Sequence, residues 1–148
     1  RPAGVVLREQ LAALPEPLKT RAYDTLTELE AGRTVADPPA ELAALFRPSV
    51  QPYLISWLAL DPAKLAAAYD GPIFVGQGAT DIQVTVVDAQ AIKAAQPRAT
   101  LVVWDGVNHV LKTAPADRAA NVATYMDPAL PLAPGVVEAV ADFILKPR

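Results

Sequence analysis

Apolar residues recur along this chain in two ways, at helical spacing and in short unbroken runs, and the two predict different elements. From Val5 to about Ser56 the spacing is helical. Val5, Leu7, Leu11 and Leu14 give one apolar face, after which Pro15 and Pro17 break the chain. Leu18, Ala22, Leu26 and Leu29 give a second face, closed by Gly32 as a C-terminal cap. Residues 33–39 read as a loop. A short helix carries Glu41, Leu42, Leu45 and Phe46, and Arg47-Pro48 ends it. Val50 to Leu60 is the most aromatic segment, with Tyr53 and Trp57 at i and i+4 on one face. Asp61-Pro62 opens another helix, an N-cap followed by proline at the first helical position, and this helix ends near Tyr69.

Unbroken runs follow. Ile73 to Val75 and Leu101 to Trp104, each bounded by Gly and Asp, predict strands buried on both faces. Between them Thr85 stands as N-cap with Asp88 at the third helical position. Val86, Ala89, Ile92 and Ala95 then recur at helical spacing, and Pro97 stops the helix. Strand, helix and strand make a βαβ unit, whose strands must be parallel and whose crossover is right-handed almost without exception. The stretch beyond His109 is irregular and broken by Pro115, Pro128, Pro131 and Pro134, with a helical turn or two over Asp117–Tyr125. Pro134 opens a last amphipathic helix, with Val136, Val137, Val140, Phe143 and Ile144 along one side, expected to pack on the sheet. The fold class is α/β: a parallel βαβ unit preceded by a helical segment.

Composition narrows the function classes. A chain of 148 residues, 52% hydrophobic and 20% charged, is globular and long enough for one domain with a core. A net charge of −3 and a pI near 5.1 argue against nucleic acid, which needs a basic patch. With no cysteine there is no disulfide or thiolate chemistry, and the compartment is left undetermined. No apolar run reaches the roughly 18 residues of a membrane span, and no signal peptide is visible, which favours a soluble, cytoplasmic protein over a secreted one. The chain opens Arg1-Pro2-Ala3 without an initiator Met, and its only Met is Met126. The strand-rich half expected before such a βαβ unit is also absent.

The chemistry lies at the strand ends. Asp81 follows the first strand and His109, the only histidine, follows the second. Parallel strands end on the same edge of a sheet, where open α/β sheets bind ligands, so an acid and a base meet there. Each residue also has a plainer reading. Asp81 could be a solvated turn residue and His109 a surface loop residue, and Asp105 with Gly106 is better read as a turn. Tyr53 and Trp57 could line a substrate pocket, but aromatics at this spacing are more often ordinary packing. Asp81 and His109 alone fall short of a metal set, and no third ligand stands at helical spacing.

On these residues a resemblance becomes visible. Pro72-Ile-Phe-Val-Gly-Gln-Gly-Ala-Thr-Asp81 resembles the acid-bearing strand of the α/β-hydrolase superfamily, and Leu101-Val-Val-Trp-Asp-Gly-Val-Asn-His109 resembles the strand and turn that carry its histidine. The order, acid before histidine, is that of the family, and the separation, 109 − 81 = 28 residues, fits one helix and one strand. The likeness is to serine hydrolases of the esterase, lysophospholipase and serine-aminopeptidase-like group. It covers residues 70–148, with residues 4–60 as a lid or crossover insert. The departure is equally specific. No Gly-x-Ser-x-Gly occurs, and neither Ser49 nor Ser56 has a glycine two residues away on either side.

The resemblance therefore implies a single partial α/β-hydrolase domain over 1–148, with residues 4–60 as the lid and 70–148 as the C-terminal half. It implies ester or amide hydrolysis in which Asp81 and His109 serve as catalytic acid and base and the serine lies elsewhere. Expected partners are a small-molecule ester or amide and a missing N-terminal half, or a second copy, covering the exposed sheet edge. No cofactor, metal, nucleic acid or membrane span is expected. Two alternatives stand beside this: a non-catalytic binding or interaction fragment derived from a hydrolase scaffold, and a truncated product that self-associates through its sheet edge.

Overall fold

A computed structural model of the chain describes residues 1–146. The protein is mixed α/β, with eight α-helices and a two-stranded parallel sheet among the described residues. It divides into two compact units, Arg1–Leu65 and Ala66–Arg148. No described helix is long and apolar enough to cross a membrane.

The N-terminal unit is helical. It contains α1 (Ala3–Leu11), α2 (Leu18–Glu30), a 3₁₀ turn (Ala40–Leu42), α3 (Ala43–Phe46), α4 (Gln51–Leu58) and the start of α5 (Pro62–Ala68). Leu7, Leu11, Leu26, Leu29, Phe46, Leu54 and Leu58 form its core. The end of α2 closes as its sequence predicts. Gly32 takes φ +76°, its N–H binds Leu29 O at 3.0 Å, and Arg33 N–H binds Glu28 O at 2.9 Å, the paired bonds of a Schellman cap. The first face needs correction. Val5 is 44% exposed, and Ala3, Gly4, Leu7 and Leu11 are the buried positions of α1. Leu7 is two residues from Val5, about 200° around a helix, so the two cannot share a face. Gly4 sits where α2 comes close: a Cβ there would lie 1.8 Å from Glu30 Oε1, and that carboxylate also grips Arg8.

One buried polar residue organises the loop of this unit. Gln51 is fully buried, donates to Val35 O and Phe46 O at 2.8 Å each, and accepts from Val35 N at 2.8 Å. An amide that meets all three partners avoids the desolvation cost an unpaired one would carry. At α5, Asp61 Oδ1 accepts from Ala63 N and Lys64 N, the N-cap its Asp-Pro sequence predicts. The Lys64 backbone N–H is the main reason the Asp61 carboxyl is held below the usual carboxylate range.

The C-terminal unit carries β1 (Phe74–Gly78), α6 (Val86–Ala95), β2 (Thr100–Trp104), α7 (Arg118–Ala123), a 3₁₀ turn (Thr124–Met126) and α8 (Val136–Leu145). β1 and β2 run parallel, in register from Phe74↔Thr100 to Gly78↔Trp104. The start of α6 forms both halves of a capping box between Thr85 and Asp88. The strands are not buried on both faces, as their apolar runs predict. Gly76 is exposed, and so is Val103 at 39%. The reason lies in the width of the sheet. With two strands, neither face is broad enough to be covered fully, and β1 pairs on one side only among the described residues.

The last helix packs on the sheet through part of its apolar surface. Phe143 meets Phe74 with ring centroids 5.3 Å apart, and Val136 is buried with Val107 and Ala133. Val137 and Ile144, expected on the same side, are 57% and 64% exposed. They lie one residue, or 100°, around the helix from Val136 and Phe143, so α8 has two apolar faces and seats one.

Candidate active site

The site begins at the carboxyl end of β1. The ladder continues past the strand through Ala79 N–H to Trp104 O at 2.9 Å and Thr80 N–H to Val107 O at 3.0 Å. Behind it, Gly78 lies flat against the next loop: a Cβ at that position would be 2.1 Å from Val107 O. This close approach brings the segment after β2 over the segment after β1.

That second segment is a narrow hairpin with His109 near its tip. Val107 bridges Thr113 in antiparallel fashion, Asn108 N–H binds Lys112 O at 3.0 Å, and Ala114 N–H binds Gly106 O at 2.8 Å. Asp105-Gly106 forms a turn, with Gly106 at φ +65°. The reversal is completed by Leu111, which holds φ +59°, a left-handed conformation uncommon outside glycine. Its carbonyl accepts from Ala133 N at 2.8 Å, and its side chain packs against the Val107–Ala133–Val136 cluster.

The structure brings Asp81 and His109 together, with Nδ1 of the imidazole 2.9 Å from Oδ2 of the carboxylate. The Asp81 side chain is 6% exposed and that of His109 41%, so the acid is sunk and the ring presents one side outward. Asp81 is held from several directions. Oδ1 accepts from Gln83 N at 2.7 Å and Val84 N at 3.0 Å, an Asx turn, and Oδ2 also faces Gln77 Nε2 at 3.3 Å. Gln77 is itself buried and donates to Gly78 O and Val84 O, tying the ends of the Asp81 turn to each other.

These contacts set what the ring can do. A carboxylate only accepts hydrogen bonds, so Nδ1 is the donor in the pair, and in the neutral ring Nε2 keeps its lone pair. The result is an oriented base whose accepting nitrogen lies on the ring edge away from Asp81. Among the described residues no group of three or more His, Cys, Asp or Glu is placed to hold a metal ion.

Behind the two loops lies a polar cluster that periodicity and motif spacing do not reveal. Asn108 and Asn121 are fully buried, and Asn108 Nδ2 donates to Thr124 Oγ1 at 2.7 Å. Lys112 Nζ closes the end of this segment, donating to Thr124 O at 3.1 Å and to Asp127 O. Gln77 lies beyond the apolar run that marks β1, between two glycines, and carries no such signal. Asn121, in an alanine-rich stretch, carries none either.

Tyr53 and Trp57 lie in the N-terminal unit on α4, where they stack on each other with centroids 6.4 Å apart and planes 12° from parallel. Ser56, on the same helix, donates its hydroxyl to Tyr53 O at 2.7 Å. No family model, curated protein or solved structure matches the chain.

Proposed function

We propose that this chain contributes the acid and the base of a Ser-His-Asp hydrolase of the α/β-hydrolase type, acting on esters and less readily on amides or short peptides. The observation that carries the reading is the 2.9 Å contact from Asp81 Oδ2 to His109 Nδ1, made across the ends of two adjacent parallel strands in the order acid, then base. In this reading His109 Nε2 takes the proton of a serine hydroxyl as the oxygen attacks the acyl carbon, then returns it to the leaving group. Asp81 holds the tautomer and stabilises the imidazolium. The serine and the amides that bind the oxyanion come from another stretch of polypeptide, because neither Ser49 nor Ser56 stands in an elbow sequence.

A serine-directed fluorophosphonate tests the reading in the native source. Labelling of a serine in the protein, or in the complex containing this chain, is expected. Absence of label in native-source material that contains the chain supports a non-catalytic fragment instead. The purified chain by itself should hydrolyse p-nitrophenyl acetate no faster than an equal concentration of free imidazole. Burst kinetics removed by Ser49→Ala or Ser56→Ala would place the nucleophile within this chain.

The same reading assigns a partner to β1. Its second edge carries backbone donors and acceptors, with the apolar face of α8 that holds Val137 and Ile144 left unseated. The expected cover is the nucleophile-bearing half or a second copy of the chain. Sedimentation at micromolar concentration should show association, and a monodisperse species of 15.6 kDa would show that the edge needs no cover.

A further inference from the structure

We infer that Asn121 is a positioning residue that holds the Asp81 loop and the His109 loop in register. The inference rests on the acid–base role proposed above for that pair. The Asp81–His109 contact involves a half-exposed ring on a rotatable stem, so it cannot by itself fix how far apart the two loops stand. The Thr80 N–H to Val107 O bond ties the loops at one point, and a second tie behind them fixes their spacing.

Asn121 is fully buried in α7 and touches the residue immediately before each partner. Its Nδ2 donates to Thr80 O at 2.9 Å, one residue before Asp81, and to Pro115 O at 3.0 Å. Its Oδ1 accepts from Asn108 Nδ2 at 3.4 Å, one residue before His109. Asn108 is buried in turn. It bonds more closely to Thr124 Oγ1, at 2.7 Å, and accepts from Lys112 N at 3.1 Å. A single side chain thus meets both loops, and α7 and the turn after it supply two of the cluster's members.

The residue type follows from the partners. Two carbonyls require two donors and the facing amide requires an acceptor, and among short side chains only asparagine offers that set. Aspartate would aim an acceptor at Thr80 O and Pro115 O, and serine has one hydrogen to give. Asn121 is itself fully buried, so its replacement takes this donor from two part-buried carbonyls and removes the tie that sets the spacing of the loops.

The chain has one histidine, so ¹⁵N spectra of the imidazole report His109 alone. In the full wild-type chain the Nδ1–H tautomer should dominate, because the carboxylate demands a donor. In Asn121→Ser the ratio of Nδ1–H to Nε2–H should fall several-fold, and in Thr124→Val, which removes only the hydroxyl behind Asn108, it should fall by less. Phe143→Leu is the control. It weakens packing against Phe74 at the opposite end of β1 from the site, and it should leave the ratio unchanged at comparable loss of stability. A folded Asn121→Ser chain with the wild-type ratio overturns the inference. If that variant does not fold, an unchanged ratio in Thr124→Val does so. Failure to label any serine in the fluorophosphonate assay would refute the hydrolase reading and leave the tautomer result standing, so the two fail separately.

Discussion

Asp81→Asn is expected, on the hydrolase reading proposed above, to lower ester turnover by about 10⁴-fold with the fold intact, the loss that follows when a triad acid becomes its amide. The geometry forces the damage. Gln83 N and Val84 N point at Oδ1 from 2.7 and 3.0 Å, so the amide oxygen of the new side chain is pinned there. The amide NH₂ must then occupy the Oδ2 position, facing His109 Nδ1 and the Gln77 amide. Nδ1 can meet an N–H only by giving up its own proton, which moves to Nε2. The nitrogen that should receive the serine proton is then itself protonated. Steady-state hydrolysis of a p-nitrophenyl ester measures the loss, with circular dichroism to show that structure persists. A decrease of less than tenfold would remove Asp81 from the mechanism.

Gly78→Ala should be nearly as damaging by a different route. Gly32 and Gly106 have positive φ and open space around them, so conformation explains them. Gly78 is the reverse case, with no left-handed φ and no space. A methyl group there would meet Val107 O at 2.1 Å, Val107 C at 2.6 Å and Asn108 O at 3.1 Å. All three are backbone atoms, so no side-chain rotation relieves the contact. The hairpin carrying His109 must lift, which breaks the Thr80–Val107 bond and draws the ring from Asp81. Overpacking of this kind costs about 1–3 kcal/mol and can exceed that when backbone must move. Chemical denaturation should register that loss, and the His109 imidazole signals should lose the Nδ1–H preference. Gly76→Ala is a useful contrast, because its Cβ would meet only side-chain atoms, the Trp104 ring at 2.7 Å and the Phe74 ring at 3.0 Å, and none of the backbone. The expected order is Gly78→Ala clearly worse than Gly76→Ala.

The parts of this structure legible in the sequence are those fixed by local chemistry. Thr85 and Asp88 announce the start of α6, Gly32 the end of α2, and Asp61 with Pro62 the start of α5. The strands are legible in place but not in extent. An apolar-run reading ends β1 at Val75, whereas the strand runs through Gly76, Gln77 and Gly78, because the ladder is made by backbone groups that every residue carries. The meeting of Asp81 with His109 is legible because the order of elements in a βαβ unit leaves both on one edge. Asn108, Asn121 and Thr124 escape such reading. Their partnership depends on how the helix and turn over residues 118–126 pack against the hairpin after β2, and neither spacing nor composition encodes that in one chain. The two faces of α8 escape for a related reason, since an apolar helix shows what it can bury and not what its neighbours leave room for.

The register of the sheet has one more consequence. Phe74 pairs with Thr100 and Gly78 with Trp104, each a separation of 26 residues (100 − 74 and 104 − 78), and the bonds behind the pair reach no further than Ala133. The entropic cost of closing a loop grows only slowly with its length, so a separation of this size is a modest demand. The acid and the base therefore meet within one contiguous stretch of chain. On the proposed hydrolase reading, a nucleophile presented from elsewhere meets a base that this stretch has already aimed.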